Sequence, residues 1–328
     1  MQHFIKDPSR IGPWLREDPR IGSEIGSFLV ISHLATGGMC ELYTAIHTAL
    51  ERHAVLKIPR RDQPYHEIGS AQLISEARIL ASLHHPNVVE VYDLGWHGEN
   101  EPYLALELLE GTALDGVIFE NGQLPVRASL RIVREVARAL WAFHRRDIVC
   151  VDVKPENIML VNGPLVRRNR QGEVWVKVID LGAGVRLGEL QARSGQGHDF
   201  QYVGTPAYTS PEVALRRPVT PASDVYNLGL MLYEMLSGDL PFTARDTQEW
   251  LSHHVTSTAP LLSEVTASVE PGSALEQLVS ACLSKDPARR PQSMLEVLTR
   301  LDAAERQWVE QRTAEDTQVT TLPSSLLV

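Results

Sequence analysis

The hydrophobic patterning predicts an α+β chain, strand-rich in its first third and helical afterwards. Short apolar runs bounded by turn residues crowd the stretch from Phe28 to Ile58. One amphipathic repeat follows, with Leu73, Ala77, Leu80 and Leu83 at helical spacing. Beyond Gly111 the apolar residues recur mostly at helical spacing. The 328 residues suffice for one large bilobal unit or two modest domains.

Residues 1–27 are rich in proline, glycine and charge, and Pro8, Pro13 and Pro19 block a long helix. They read as an N-terminal extension or strap. Strands are expected at Phe28–Ile31, Leu42–Ile46 and Ala54–Ile58, with Gly37-Gly38 turning the first into the second. A helix is expected over Gln72–Leu83, then strands at Val88–Tyr92 and Tyr103–Leu106. Glu110-Gly111 breaks the pattern and marks the lobe boundary, with a first lobe at 28–109 and a second at 112–312. Helices are expected over Ala128–His144, Ser223–Leu236, Ala274–Leu283 and Met294 to about Gln311. Residues 313–328 are Thr/Ser-rich and read as a flexible tail.

A net charge of −10 argues against general nucleic-acid binding and against attraction to anionic lipid. Three widely spaced cysteines, Cys40, Cys150 and Cys282, fit a reducing compartment better than a disulfide framework. The first residues lack the apolar core of a signal peptide. Asn227 and Glu234 interrupt the most apolar stretch, Val225–Leu236, so no membrane span is expected. A cytoplasmic protein is the expectation.

Chemistry concentrates in two frames, Val151-Asp152-Val153-Lys154-Pro155-Glu156-Asn157 and Ile179-Asp180-Leu181-Gly182. Two carboxylates and an amide can hold Mg²⁺, which prefers oxygen ligands and keeps waters and phosphate oxygens. One carboxylate can also accept a hydroxyl proton, and phosphoryl transfer asks for little beyond metal, base and positioning. These frames resemble the catalytic and metal-binding loops of the eukaryotic-like (bacterial-type) serine/threonine protein kinases. The resemblance extends over roughly residues 28–302 through an ordered set of motifs.

It implies a bilobal fold, with a small β-rich first lobe holding one main helix and a larger helical second lobe. It implies ATP between the lobes and Mg²⁺, with Mn²⁺ as an alternative ion, on Asn157 and Asp180. Asp152 is implied as the base and Lys154 as a neutraliser of γ-phosphoryl charge. Ala35-Thr36-Gly37-Gly38-Met39-Cys40-Glu41-Leu42 resembles the glycine-rich phosphate loop, where glycine serves close approach and positive φ. Leu34, Gly37, Gly38 and Leu42 are thereby assigned to the nucleotide, with Lys57 on the phosphates and Glu76 as its ion-pair partner. The backbone of Glu107 to Leu109 is assigned to the adenine, with Leu106 at the back of that pocket. Thr205 would bridge Asp152 and Lys154, Asp224 would anchor the catalytic loop, and Glu212 would pair with Arg290. Ser210-Pro211-Glu212 with Asp224 and Arg290 separates the chain from small-molecule phosphotransferases.

The departures are specific. Ala35 and Cys40 replace two loop glycines, and Cys150-Val151 replaces the family's His-Arg. That arginine docks a phosphorylated activation-loop residue. Between Asp180 and Gly204 there is no threonine, and only Ser194 and Tyr202 could be modified. The two absences agree, so activity independent of activation-loop phosphothreonine is expected; a nucleotide-binding pseudokinase scaffold is the alternative. Cys150 reads as inert packing, and Cys40 stays open to a redox role. Gly163–Gly172 reads as an extended hairpin, as a solvated turn or, through its three arginines, as a partner contact. Protein substrates bearing serine or threonine are the expected partners. A phosphothreonine-binding partner at Thr317, Thr320 and Thr321 is the second partner the sequence suggests.

Overall fold

The computed structural model describes residues 18–60, 66–98, 100–161, 175–180, 184–187 and 205–320, with side chains described as far as Thr313. Its strands in chain order are β1 (Glu24–Ile25), β2 (Phe28–Thr36), β3 (Cys40–His47), β4 (His53–Pro59), β5 (Val91–His97) and β6 (Glu101–Glu107). They continue with β7 (Gly111–Ala113), β8 (Ile148–Val149), β9 (Ile158–Val161), β10 (Trp175–Val178) and β11 (Val185–Arg186). The α-helices are α1 (His66–Ala81), α2 (Leu114–Asn121), α3 (Val126–His144), α4 (Pro211–Ala214) and α5 (Pro221–Ser237). After them come α6 (Thr247–Thr256), α7 (Leu262–Val265), α8 (Ala274–Cys282) and α9 (Met294–Thr320). The architecture is α+β, as the patterning predicts. No helix among the described residues is long and apolar enough to cross a membrane.

The described residues divide into two compact units, one within Met1–Leu114 and Glu156–Gly184, the other within Asp115–Pro155 and Val185–Val328. In the first, an antiparallel sheet runs in the order β1-β2-β3-β4-β6-β5. Alternation places Ala54, Leu56 and Ile58 of β4 on one face, where they join Phe28, Val30, Tyr43 and Tyr103 in a buried core. Each such large side chain contributes about 1.5–3 kcal/mol on burial. The segment before β1 is pinned to this sheet: Arg20 forms ion pairs with Glu41 and Glu101, and the Tyr43 hydroxyl donates to Asp18 at 2.7 Å. A smaller antiparallel sheet, β10-β9-β7, completes the unit.

Several boundaries differ from the sequence reading. The strand expected at Val88–Tyr92 lies instead at Val91–His97. Asp93 and Gly95 look like turn residues, yet Gly95 suits this strand because the Tyr103 ring occupies the space where a Cβ would project. Val88 and Val89 are buried by another route, bridging to Val178 and donating to its carbonyl. Gly111 opens β7, where a Cβ would strike the Leu160 carbonyl. Helix α1 starts six residues earlier than expected, running through Gly69, and ends at Ala81.

In the second unit, α3 buries Leu130, Val133, Ala137 and Leu140 along the expected stripe. Helix α5 is buried on nearly every side and ends at Gly238, whose φ of 88° is the left-handed cap glycine favours. Arg290 makes a bidentate ion pair with Glu212 at 2.8 and 2.9 Å, buried from solvent. Helix α9 continues to Thr320 instead of ending near Gln311. Its extra turns contain no glycine or proline before Pro323, so nothing in the chain stops the helix there.

Candidate active site

In the first unit, strand alternation turns Lys57 away from the core side chains of β4, opposite Leu42 on β3 and Leu104 on β6. Its Nζ donates to Glu76 Oε1 and Oε2 at 2.9 and 2.7 Å and to Asp180 Oδ2 at 3.1 Å. Glu76 reaches it from the apolar stripe of α1 and is 2% exposed. Burial, with the charge of Asp180 added, pushes the Glu76 carboxyl up to about 7 despite the adjacent ammonium. Burial opposes the charge on Lys57 as well, but Glu76 and Asp180 outweigh it and hold the ammonium above its ordinary value.

The ladder between β9 and β10 brings Asn157 and Asp180 to the same end, since Ile158 pairs with Val178 and the Ile179 N–H donates to the Asn157 carbonyl at 3.0 Å. No cluster of three or more His, Cys, Asp or Glu that could hold a metal occurs among the described residues. One carboxylate and one amide oxygen suit a hard ion that keeps water and phosphate ligands, as Mg²⁺ does, and do not suit zinc.

Gly37 and Gly38 join β2 to β3, and the Gly37 N–H donates to the Cys40 carbonyl at 2.8 Å. Neither glycine has a positive φ, which corrects the expectation drawn for this loop. Only the absence of a side chain distinguishes them here: a Cβ on Gly37 would crowd the Cys40 carbonyl at 3.2 Å, while Gly38 faces open space. Leu34 is exposed on β2 and Leu42 half-buried on β3. Cys40 lies buried in β3, and burial pushes its thiol up to about 11. A protonated thiol is a poor redox switch.

Glu107 ends β6. Its N–H donates to Glu90, and its carboxylate accepts from the Glu90 N–H at 2.8 Å and from Lys177 at 2.5 Å. Lys177 went unnoticed in the sequence, where only its alternation with the buried Val176 and Val178 marks it. Leu106 is buried and Leu109 half-buried.

In the second unit, Asp152 follows β8. Its carboxylate pairs with Lys154 Nζ at 2.8 Å and accepts the Thr205 N–H at 3.3 Å, while Lys154 also donates to Thr205 Oγ1. Asp224 of α5, fully buried, accepts the N–H groups of Cys150 and Val151 at 2.9 and 2.8 Å. His144 Nε2 meets the same carboxylate at 2.7 Å, and Asn227 Nδ2 donates to the Val151 carbonyl at 2.6 Å. Sequence reasoning missed His144 and Asn227, whose roles depend on α3 and α5 meeting the loop. Val151 itself has a φ of 66°, a conformation β-branched residues rarely adopt. The Asp152 N–H reaches back to the Cys150 carbonyl at 2.8 Å, closing a γ-turn around Val151. Cys150 is buried, and desolvation raises its thiol well above the ordinary value, as inert packing requires.

Leu181, Gly182, Ser194, Tyr202, Gly204, the Gly163–Gly172 stretch and Thr321 lie outside the described residues.

The first unit thus holds a buried Lys57–Glu76 pair that reaches Asp180, and the second an Asp152 carboxylate held by Lys154 and Thr205. Residues 28–301 match the protein kinase domain, and the chain belongs to that family. It is 34% identical over 281 residues to serine/threonine-protein kinase pkn2 of Myxococcus xanthus, covering 85% of this chain and 32% of that protein. It is 33% identical over 267 residues to serine/threonine-protein kinase PknL of Mycobacterium tuberculosis, covering 80% and 62%. Against serine/threonine-protein kinase PrkC of Bacillus subtilis the identity is 30% over 271 residues, covering 82% and 39%. The chain thus matches 32% to 62% of the length of these relatives.

Proposed function

We propose that this chain is a serine/threonine protein kinase that transfers the γ-phosphoryl group of ATP to protein hydroxyls. The observation that supports it most is the Lys57 ammonium fixed between Glu76 and Asp180, in a chain that belongs to the protein kinase family. A cation held this way offers phosphate oxygens a fixed countercharge.

The donor set fits the expected ion: the Asn157 amide and the Asp180 carboxylate would hold Mg²⁺, and Mn²⁺ would suit the same oxygens. When bound, the ion neutralises charge on the phosphate oxygens. Gly37 and Gly38 would leave room for the phosphates, Leu34 and Leu42 would flank the base, and the backbone from Glu107 to Leu109 would meet the adenine. Asp152 would accept the proton of the serine or threonine hydroxyl as its oxygen bonds to phosphorus and the bond to ADP breaks. Lys154 holds Asp152 now and would offset charge on the group in transfer. Activity would need no activation-loop phosphothreonine, since Val151 offers no charge to dock one. Buried free thiols at Cys40, Cys150 and Cys282 support a reducing, cytoplasmic setting. A phosphothreonine-reading partner at Thr317, Thr320 and Thr321 belongs to the same proposal.

The test is incubation with labelled ATP, Mg²⁺ and a mixed serine/threonine acceptor. Label should appear as phosphoserine or phosphothreonine, vanish with EDTA and return with added Mg²⁺. Mass spectrometry of the same sample should find phosphate on the tail threonines; an unmodified tail removes the partner proposal. No label under any metal condition overturns the kinase reading.

A further inference from the structure

Val151 shares its surroundings with residues far along the chain. Val149, Val213 and Val219 form a small buried apolar cluster, and Val151, Val185 and Leu187 pack against its edge. Three separate stretches meet there. The catalytic loop contributes Val149 and Val151. Strand β11 lies antiparallel to β8, with Val185 opposite Val149, and the Leu187 N–H donates to the Asp147 carbonyl at 2.9 Å. Helix α4 and the residues before α5 contribute Val213 and Val219. The chain leaves this cluster at Leu187 and comes back to the same loop at Thr205, whose N–H reaches Asp152.

We propose that Val151 is a positioning residue for Asp152, and that its packing on the cluster of Val149, Val213 and Val219, which Val185 and Leu187 also abut, ties the catalytic loop to the flanks of the 188–204 segment. The contact replaces charge with burial, so it needs no modification to form and persists whatever the phosphorylation state. Asp224 and Asn227 hold the backbone of Val151 in a left-handed conformation, and that conformation fixes where the side chain projects. The next residue is Asp152, joined to Cys150 through the γ-turn. A shift of the Val151 side chain therefore turns the Asp152 carboxylate directly.

This inference rests on the reading of Asp152 as the proton acceptor. It is tested on the full chain, with kcat and the KM for ATP measured for wild type, Val151→Ala, Val185→Ala, the double variant and Val151→Ile. Each alanine should lower kcat by about ten-fold, the scale of a small misplacement of a reacting group, with the KM for ATP unchanged within two-fold. The double variant should fall by about the same ten-fold and not a hundred-fold, because both changes loosen the one cluster that both side chains pack against. Val151→Ile keeps an apolar branched side chain and should stay near wild type. Leu187→Ala, at the rim of the same cluster, gives the same readout should a valine variant fail to fold. Wild-type kcat in both alanine variants, a multiplicative loss in the double, or an isoleucine variant as impaired as alanine overturns the proposal. Absence of transfer by wild type, or full activity in Asp152→Ala, would instead defeat the kinase reading on which it rests.

Discussion

Lys57 is held by charge, whereas the loop bearing Asp152 is held by backbone hydrogen bonds. Around Lys57, two carboxylates face one ammonium, and one of them, Glu76, is so buried that it takes a proton near neutrality. Around Asp152, the buried Asp224 accepts two backbone N–H groups, and Asn227 donates to the Val151 carbonyl that follows them. A charge-held site can lose a partner and relax by protonation, because a buried acid neutralises sooner than it stays ionised alone. A backbone-held loop has no such escape. Its N–H groups keep their demand for an acceptor whatever the pH.

The largest effect should follow from breaking the backbone-held side. Asp224→Ala leaves two buried N–H groups without their acceptor and should cost about 3 kcal/mol in urea unfolding. Lys57→Met should cost about 1 kcal/mol or less at pH 6, since Glu76 then binds a proton. Equal losses in the two variants would erase the contrast.

A smaller effect comes from pH. Glu76 in the folded chain sits at about 7 against an ordinary 4.5. The folded state therefore binds the extra proton between those values. Stability from this group is complete below 4.5 and is lost as pH rises through about 7. Activity should move the opposite way, since the ionised pair forms only as that proton leaves. Transfer should fall roughly ten-fold from pH 8 to pH 6, following the ionised fraction. Glu76→Gln should remove that step, and a pH profile unchanged by this substitution would contradict the assignment.

Much of the charge-held half could be read from the chain. A lysine alternating with apolar residues on a strand, and a glutamate beside an apolar helical stripe, announce their faces through periodicity alone. Asp224 was legible through the family resemblance, which assigns it to anchor the loop. The rest depends on contacts between distant segments. Lys177 reaches Glu107 across two strands, His144 and Asn227 find the loop only after α3 and α5 pack, and the left-handed Val151 has no signature in its residue type. Likewise β5 hides behind a glycine that only the Tyr103 ring explains.

The central claim is that nucleotide retention and proton acceptance belong to different groups, Lys57 with Asp180 on one side and Asp152 on the other. Calorimetric titration of Asp152→Ala with Mg·ADP, alongside its transfer rate from ATP, addresses this most directly. The nucleotide Kd should stay within three-fold of wild type while transfer falls by about 10²–10⁴, the range for removing a general base. Loss of nucleotide binding in parallel with transfer, or transfer retained near the wild-type rate, would contradict it.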